Sequence, residues 1–290
     1  MSTLDQPLHP VNLTDMELKS VEYRIKILKA IKKANAGHTG GSLSCVDILN
    51  VLYNHVLDIS PQTFSHPDRI RYIHSKGHSV EALYVVLADK GFFPETDLDT
   101  LGRYKSHYVG HPTRKVAGIE MNTGALGHGL SISVGMALAG NKVFTLMGDG
   151  ELPEGSNWEA MLLASHYSLD NLTAIIDYNG LQITGPCHTV CNTDPLKEKF
   201  ESFGWSVRSI DGHSINELTQ TFQALPFEKQ KPNMIIARTV KGKGVSFIEN
   251  KANWHHKVPS DDEYILAINE LEQERMRLVG TSKKQIVIDE

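Results

Sequence analysis

The sequence predicts an α/β domain with a doubly wound, mainly parallel sheet, which means a sheet covered by helices on both faces. Segments of helical period alternate with short runs rich in β-branched residues along most of the 290 residues. The runs 143–148 and 172–177 are almost continuously apolar, as strands buried on both faces are. Hydrophobic residues make up 40 % of the chain, which is enough for a substantial core.

The predicted elements follow one another in a regular order. The first helix, residues 14–35, opens with Thr14 and has Glu17 three residues later, which is a capping-box pattern. A second helix is predicted for SCVDILNVLYNHVL, residues 44–57. The strand candidates are residues 70–75, 142–148, 172–178, 205–211 and 234–240. Further helix candidates are residues 79–89, 129–139, 155–168, 194–203 and 214–225.

The domain organisation is predicted to be simple. Residues 1–13 form an N-terminal arm, residues 14–280 form one domain, and residues 281–290 form a tail that is either a trailing strand or a contact arm. No internal repeat, low-complexity tract or interdomain linker interrupts the domain.

Charge and hydropathy exclude several classes of protein. The net charge of −5 and the lack of basic blocks argue against a nucleic-acid partner. No apolar run approaches the roughly 20 residues that cross a bilayer. The N-terminus carries an acid and no hydrophobic segment, so it does not resemble a secretion signal. A cytoplasmic protein without a membrane partner is therefore expected.

Three cysteines cannot form a disulfide framework. Cys187 and Cys191 lie in CHTVC with His188 between them, which raises the alternative of a zinc site. A structural zinc site usually needs four ligands and a second pair at matching spacing, and no such pair follows. A reduced protein with incidental thiols is the favoured interpretation.

Two polar landmarks end neighbouring predicted strands. Gly148-Asp149-Gly150 ends one strand, Asn179-Gly180 ends the next, and residues 151–178 leave room for one crossover helix and a return strand. Asp149 and Asn179 should therefore lie side by side at one edge of the sheet. Their oxygens suit Mg²⁺, which binds one or two carboxylates and completes its shell with phosphate oxygens and water. The flanking glycines would admit a diphosphate, and the following helix could add its positive end.

Four histidines have glycine neighbours: His38 in AGHTGG, His78 in SKGHS, His111 in VGHPTR and His128 in GALGHG. Any one of them alone is more often a satisfied polar residue than a catalyst. Together they need a joint explanation, because glycine lets backbone approach a ligand and histidine transfers protons near neutral pH.

The chain resembles the N-terminal half of transketolase from about residue 14 to residue 260. GDGELPEGSNWEA with IIDYNGLQITG is similar to the thiamine diphosphate motif. Other matching segments, in the family's order, are AGHTGGSLS, YIHSKGHS, YVGHPTR, MNTGALGHGLSISVGMA and KGKGVSFIENKANWHHKVP. The resemblance implies a thiamine diphosphate-binding fold, specifically its diphosphate domain.

The resemblance also implies a role for each matching residue. Asp149, Asn179 and the backbone carbonyl of Leu181 would hold Mg²⁺ or Ca²⁺. The diphosphate would face His78, Gly150, Asn179 and His255, with Lys241 nearby as a point charge. The backbone of Gly124, Ala125 and Leu126 would hold the aminopyrimidine side of the cofactor. His38, His111 and His255 would be the catalytic residues near the cofactor's reactive carbon, where they contact the donor ketose and assist proton transfers.

Some positions depart from the family pattern. His128 stands where family members often have glutamine, so no catalytic role is assigned to it. The first motif is GHTGG rather than GHPG or GHPTS, which indicates a more mobile loop. Neither departure affects an implied metal ligand.

The implied reaction is transfer of a two-carbon ketol unit from a ketose to an aldose. In the family, the glutamate that activates the cofactor lies in a pyrimidine-binding domain, which would begin after this sequence ends. The resemblance therefore implies a partner subunit that carries this domain and an α2β2 heterotetramer. The sugar, and whether its terminal group is phosphate, sulfonate or hydroxyl, stays open.

Alternative functions remain at this stage. Other thiamine diphosphate enzymes share the GDG…N pattern, namely 1-deoxyxylulose-phosphate-synthase-like proteins and 2-oxo-acid dehydrogenase α subunits. VGHPTR, NTGALGHG and KANWHH fit transketolase better than either. A non-catalytic binding protein of the same fold would be expected to have lost ligands. A nicotinamide-binding domain is disfavoured because no strand leads into G-x-G-x-x-G.

Overall fold

The computed structural model describes residues 12–288, with side chains as far as residue 281. Its centre is a five-stranded sheet with the order β1-β2-β3-β5-β4. The strands are β1 (Arg71–His74), β2 (Val143–Gly148), β3 (Leu172–Tyr178), β4 (Ser206–Asp211) and β5 (Asn233–Arg238). Every neighbouring pair is parallel, so the predicted parallel α/β sheet is confirmed.

Helices cover both faces of this sheet. In chain order they are α1 (Leu13–Ala34), α2 (Thr39–Ser44), α3 (Val46–Val51), α4 (Val80–Asp89), α5 (Gly129–Leu138), α6 (Gly155–His166), α7 (Cys187–Val190), α8 (Leu196–Ser202), α9 (Ile215–Gln223) and α10 (Asp261–Ile288). A π-helical turn at Leu52–Val56 continues α3. Shorter 3₁₀ turns occupy Gly77–Ser79, Glu95–Thr100, Asp149–Glu151 and Ala252–Trp254.

The two faces of the sheet bury separate hydrophobic clusters. Phe144 and Leu146 of β2 join a cluster with α1, α3, α4 and α9. Their strand neighbours Val143 and Met147 point the other way, into a cluster with α5, α6 and α8. This alternation along one strand explains why the sequence of β2 is almost continuously apolar.

The start of α1 differs from the capping-box prediction. The N-cap is Asn12, whose side chain accepts a hydrogen bond from the Asp15 amide at 3.4 Å. Thr14 lies inside the first turn. Asparagine is at least as good an N-cap as threonine, and capping at Asn12 makes Leu13 the first residue of the helix.

The C-terminal segment is helical, and this corrects the trailing-strand alternative for the tail. Residues 281–288 continue α10, for which the sequence analysis assigned no element. The helix packs along α1 and is fixed at its start by Lys32, whose Nζ contacts the Pro259 carbonyl at 2.9 Å and Asp261 at 2.6 Å. Most of the predicted N-terminal arm, residues 1–11, and the last two residues of the tail lie outside the described residues.

Within the described part of the chain, no helix combines the length and apolar character needed to cross a membrane. Cys45 and Cys187 are buried free thiols, and Cys191 is an exposed one. No group of three or more histidine, cysteine or acidic side chains in residues 12–281 has the arrangement of a metal site.

The carboxyl ends of the strands define the functional edge of the sheet. β1, β2, β3 and β5 lead at this edge into the segments that contain Lys76, Asp149, Asn179 and Lys241. Ligands of open parallel sheets bind beyond this edge, so it is the place to look for a site.

Candidate active site

A cavity of about 480 Å³ opens at the carboxyl edge of the sheet. Its wall is formed by segments that follow four strands, together with α2 and the loops at residues 111 and 124. The lining residues are His38, Gly41, Lys76, His78, His111, Gly124, Leu126, Gly148, Asp149, Gly150, Glu151, Asn179, Leu181, Gln182, Ile183, Thr184, Lys241 and His255. All but one of the residues implied by the resemblance are in this wall.

The GDG and NG landmarks meet as predicted. Gly148 of β2 pairs in register with Asp177 of β3, so the residues after these strands are neighbours. Asp149 Oδ2 accepts the Gly180 amide at 2.5 Å, and its Oδ1 accepts the Gly150 amide at 2.8 Å. Burial and the nearby Asp177 raise the pKa of Asp149 to about 6, although these two amide bonds oppose the shift.

The backbone carbonyl of Leu181 lies beside a buried lysine. Lys241 Nζ donates to this carbonyl at 3.2 Å and to His255 Nδ1 at 2.8 Å. Burial, and then the positive charge of Lys76, lower the pKa of Lys241 to about 8. A carbonyl oxygen has two lone pairs, so the contact with Lys241 leaves one for a cation.

The histidines converge on the cavity with His38 in the middle. The His38 ring centroid is 5.5 Å from that of His78, 5.8 Å from His111 and 5.5 Å from His255. His78 and His255 stack at 5.1 Å. The expectation that His38, His78 and His111 share one function is therefore consistent with their positions around a single cavity. His128 differs, because it is exposed and does not line the cavity; its Nδ1 lies 3.1 Å from the Leu126 carbonyl oxygen.

These imidazoles are neutral at physiological pH. Burial, then the neighbouring His256 and His111, lower the pKa of His38 to about 4. Burial and Lys241 lower the pKa of His255 to about 3, and burial also lowers the pKa values of His78 and His111. A neutral imidazole has one donor and one acceptor nitrogen, so the cluster can both receive and release protons.

The residues at 124–126 are only partly in the wall. Gly124 has φ +130°, and a Cβ there would lie 2.5 Å from His111 Cδ2, so only glycine allows this approach. Leu126 also lines the cavity, whereas Ala125 is exposed and is not part of the lining. A contact between the Ala125 backbone and a cofactor stays a prediction.

The expected contribution of the next helix is absent from the cavity wall. A 3₁₀ turn at Asp149–Glu151 follows β2, and α6 begins only at Gly155. None of the α6 residues lines the cavity. The amides that face Asp149 come instead from Gly150 and Gly180, so the turn backbone replaces the helix end.

A buried ion pair adjoins the cavity through Lys76, which lines it, and no motif in the sequence predicted this pair. Lys76 and Asp177 are at most 1 % exposed and form a close salt bridge. Asp177 also accepts the Ser44 hydroxyl at 2.6 Å and the Thr239 hydroxyl. Burial opposes ionisation of Asp177, but Lys76 and the hydroxyl donors hold its pKa below the usual value. The ion pair joins the ends of β1 and β3, and the Thr239 hydroxyl links Asp177 to the end of β5.

A fifth histidine was also missed. The His256 ring lies 4.5 Å from that of His38, closer than the other histidines. The only signal in the sequence was the doubled histidine in WHHK, of which the resemblance assigned a role to His255 alone. His256 itself does not line the cavity, whereas Gln182 does, and its Nε2 is buried without a hydrogen-bond partner in the described chain.

The residues present fit a cation with a diphosphate. Asp149 and Asn179 supply hard oxygen ligands at one corner, and Leu181 supplies a carbonyl. Two of the lining residues, His38 and Gln182, each have a buried side-chain nitrogen, Nδ1 and Nε2, without a hydrogen-bond partner in the described residues. Lys241 adds positive charge, whereas the charge of Lys76 is paired with Asp177. The arrangement can hold a polyanion beside an uncharged cluster of proton donors and acceptors.

Comparison with known proteins gives a consistent result. Residues 17–274 match the family described as "Transketolase, thiamine diphosphate binding domain". The chain is 44 % identical to one of the subunits of apulose-4-phosphate transketolase from Phocaeicola vulgatus, over 89 % of this chain and 94 % of that protein. It is 41 % identical to the 6-deoxy-6-sulfo-D-fructose transketolase subunit SqwG of a Clostridium species, over 90 % of this chain and 97 % of that protein. It is 40 % identical to Homo sapiens transketolase over 81 % of this chain and 38 % of that protein.

Solved structures are similar as well. The chain superposes on transketolase from Campylobacter jejuni with a TM-score of 0.79 at 27 % identity, covering 96 % of this chain and 50 % of that one. For transketolase from Leishmania mexicana the TM-score is 0.78 at 24 % identity, covering 95 % and 47 %. The chain thus spans about half the length of these solved transketolases.

Proposed function

The chain belongs to the transketolase family of transferases and contains its thiamine diphosphate-binding domain, and from this premise we propose that it is the N-terminal subunit of a split transketolase. It would transfer a two-carbon ketol unit from a ketose donor to an aldose acceptor. The observation that carries this proposal is the convergence of four predicted histidines, His38, His78, His111 and His255, on the Asp149–Asn179 edge in one cavity. A binding protein that had lost catalysis would not need that arrangement.

Cation binding is assigned to the edge of β2 and β3. Asp149 and Asn179 would hold Mg²⁺ or Ca²⁺ through their side-chain oxygens, and Leu181 would add its carbonyl oxygen. His78, Gly150 and His255 would hold the diphosphate, with the ammonium of Lys241 as an additional charge. Gly124, Ala125 and Leu126 would support the aminopyrimidine end through their backbone.

Proton transfer is assigned to His38, His111 and His255. When bound, thiamine diphosphate supplies a nucleophilic carbon and an electron sink for the two-carbon fragment. The neutral imidazoles would hydrogen-bond the hydroxyl groups of the donor ketose and orient its carbonyl. They would also take up and return the protons that move as carbon–carbon bonds break and form. Their lowered pKa values favour the neutral form, in which an imidazole can hydrogen-bond the hydroxyl groups of the sugar.

A partner protein would complete the site. We place the pyrimidine-binding domain and its cofactor-activating glutamate on this partner, and an α2β2 heterotetramer is the expected assembly. Support comes from the relatives of similar length, because they are themselves named as single subunits of transketolases. We propose that the diphosphate domain spans residues 14–280 and that the protein is located in the cytoplasm.

The substrate class is a ketose with an anionic terminal group. Relatives of similar length are named for apulose 4-phosphate and for 6-deoxy-6-sulfo-D-fructose, which carry a phosphate and a sulfonate. The partner would recognise most of this terminal group, because the residues assigned to the cavity of this chain would contact the reacting end of the sugar.

Co-expression with the adjacent gene's product, followed by a ketol-transfer assay with thiamine diphosphate and Mg²⁺, tests the proposal. The complex should transfer two-carbon units, and chelation of the metal should stop the reaction. Each chain alone should be inactive. Decarboxylation of pyruvate without ketol transfer would instead favour one of the other thiamine diphosphate enzymes.

A further inference from the structure

We propose that Glu81 is a positioning residue for His38, because its buried carboxylate fixes the backbone that carries this histidine into the active site. The catalytic meaning of the inference rests on the proposed function, whereas the positioning itself can be measured without it. Glu81 belongs to the first turn of α4 and does not line the cavity.

The orientation of His38 depends on its backbone. Its Nδ1 is buried and has no hydrogen-bond partner among the described residues. Around the ring are other histidines at centroid distances of 4.5–5.8 Å, which provide contact rather than a directional bond. His38 is also the N-cap residue of α2, yet its own side chain caps no amide. The geometry of residues 37–42 therefore decides where the imidazole points.

Glu81 bonds to both ends of that segment. Its Oε1 accepts the His38 backbone amide at 3.2 Å, and its Oε2 accepts the Ser42 hydroxyl at 2.7 Å. One carboxylate thus bridges the residue before α2 and the fourth residue within it. Because both oxygens are used, neither rotation of the carboxylate nor a shift of the segment is possible without losing a bond.

The backbone before His38 packs against the same carboxylate. Gly37 has φ +151°, and a Cβ at this position would lie 2.8 Å from Glu81 Oε1 and 2.7 Å from Ile31 Cγ1. The segment from His38 to Ser42 contains two glycines and no proline, so the chain itself restrains it little. The hydrogen bonds from Glu81 of α4 therefore provide a restraint that the sequence of this segment does not provide itself.

The carboxylate is costly where it stands. Glu81 is 1 % exposed, and no lysine, arginine or histidine of the described chain lies within salt-bridge distance. Burial raises its pKa to about 7, although the bonds from Ser42 and His38 oppose this. An apolar residue at position 81 would avoid the cost of burying a carboxyl group. It could not form the two hydrogen bonds to His38 and Ser42, and these bonds are therefore the property that distinguishes Glu81.

Three variants separate positioning from general stability. Glu81→Ala removes both bonds. Glu81→Gln keeps them, because the amide oxygen accepts from His38 and the amide nitrogen donates to Ser42, whose hydroxyl can turn round. Leu83→Ala is the matched control, since it opens a cavity in the same helix at a residue that is 2 % exposed, while the Glu81 bond to the His38 amide is kept.

The first measurement uses the full chain without any partner. In histidine-labelled protein, the His38 ring signal is assigned by its loss in His38→Gln. We expect this signal to move or broaden in Glu81→Ala and to keep its wild-type position in Glu81→Gln and Leu83→Ala. An unchanged His38 signal in folded Glu81→Ala would overturn the proposal, and so would a Leu83→Ala spectrum with the same displacement.

The second measurement uses the reconstituted complex. A displaced catalytic group lowers turnover, so Glu81→Ala should reduce kcat on the order of 10- to 100-fold while the KM for the ketose changes much less. Glu81→Gln should restore kcat to within about twofold of wild type. Equal losses in Glu81→Ala and Leu83→Ala would indicate a purely structural role and would contradict the inference. If wild-type complex shows no ketol transfer, the proposed function fails, but the ring signal still decides the positioning.

Discussion

Asp149 is the residue on which the assignments of cation and cofactor depend. It is 3 % exposed, it lines the cavity, and two backbone amides orient its oxygens. We predict that Asp149→Ala abolishes retention of thiamine diphosphate in the complex, because the cation would lose its only carboxylate ligand. Equilibrium dialysis or fluorescence titration with the cofactor and Mg²⁺ measures the effect.

The Asp149→Ala chain should remain folded. Its cost is two unpaired amides at the cavity wall, on the order of 1–3 kcal/mol each at most, and water in the cavity can reduce it. Asp211→Ala is a matched control, since Asp211 ends β4 at the same sheet edge but does not line the cavity. Wild-type cofactor affinity in Asp149→Ala would show that the cation site lies elsewhere.

Glu81 should make stability depend on pH. Its folded-state pKa of about 7 is above the ordinary value of 4.5, so the folded chain holds this proton more tightly than the unfolded chain. The contribution is therefore fully present below about pH 4.5 and is lost as pH rises through about 7. Glu81→Gln cannot ionise. Between pH 5 and pH 8, its free energy of unfolding should rise relative to wild type by about 2.5 kcal/mol, as measured by urea denaturation at several pH values.

A constant difference between Glu81→Gln and wild type over this pH range would mean that Glu81 keeps an ordinary pKa. Leu83→Ala should show such a constant difference, since it removes no titratable group.

The sequence predicted those cavity-lining residues that lie in distinctive local motifs. The four histidines implied by the resemblance and the Asp149–Asn179 pair all have recognisable neighbours along the chain. Glu81 and Lys76 have none that predicts their partners, because they act on groups that are distant in sequence and close only after folding. Ser42 lies 39 residues from Glu81, and Asp177 lies 101 residues from Lys76.

Among the elements, the ends of three strands are tied together by the Lys76–Asp177 pair. Asp177→Asn would leave the Lys76 ammonium buried beside an uncharged amide, so we predict a loss of about 3–5 kcal/mol in the free energy of unfolding. The double variant Lys76→Met/Asp177→Asn removes the unpaired charge and should be more stable than Asp177→Asn alone. Urea unfolding followed by tryptophan fluorescence measures both.

A surface pair provides the comparison for this experiment. Lys197 and Glu201 are 3.8 Å apart on α8 and both about half exposed, so Glu201→Gln should cost no more than about 0.5 kcal/mol. If Asp177→Asn lowers the free energy of unfolding no more than Glu201→Gln does, the Lys76–Asp177 ion pair does not stabilise the fold. A double variant less stable than the single variant would also speak against it.

The strands were predicted within one or two residues, while some helices were not. Continuous apolar runs made β2 and β3 clear, because both of their faces are buried. The six-residue helix α2 contains two glycines and two serines, so its helix propensity is low and the sequence does not predict it. Packing against buried neighbours stabilises it instead. The long helix α10 is polar over much of its surface and packs mainly on α1, and the alternating β-α pattern ended before it began.

At the scale of the whole molecule, the proposed function predicts a defined assembly. The 32.2 kDa chain should combine with its partner in equal amounts, and the complex should contain two copies of each. Light scattering coupled to size-exclusion chromatography gives the mass, and activity should elute with this species. The free chain should bind the cofactor far more weakly than the complex, because only one wall of the binding site is present.

An active species that contains only this chain would contradict the proposed partner. A one-to-one complex with full activity would contradict the two-fold arrangement, although not the ketol-transfer reaction. These two outcomes are separated by the same chromatogram, since the eluting mass and the activity are read from each fraction.

Part of the cavity wall lies outside both hydrophobic clusters, and this bears on how new substrate ranges can arise. Gln182, Ile183 and Thr184 line the cavity from the connection after β3, and none of them belongs to either cluster. Substitutions at these positions can accumulate with little loss of stability, because loops at the surface tolerate substitution better than packed interiors do. A laboratory library confined to these three positions should thus yield many folded proteins, and screening can begin on catalysis without a prior round of stabilisation.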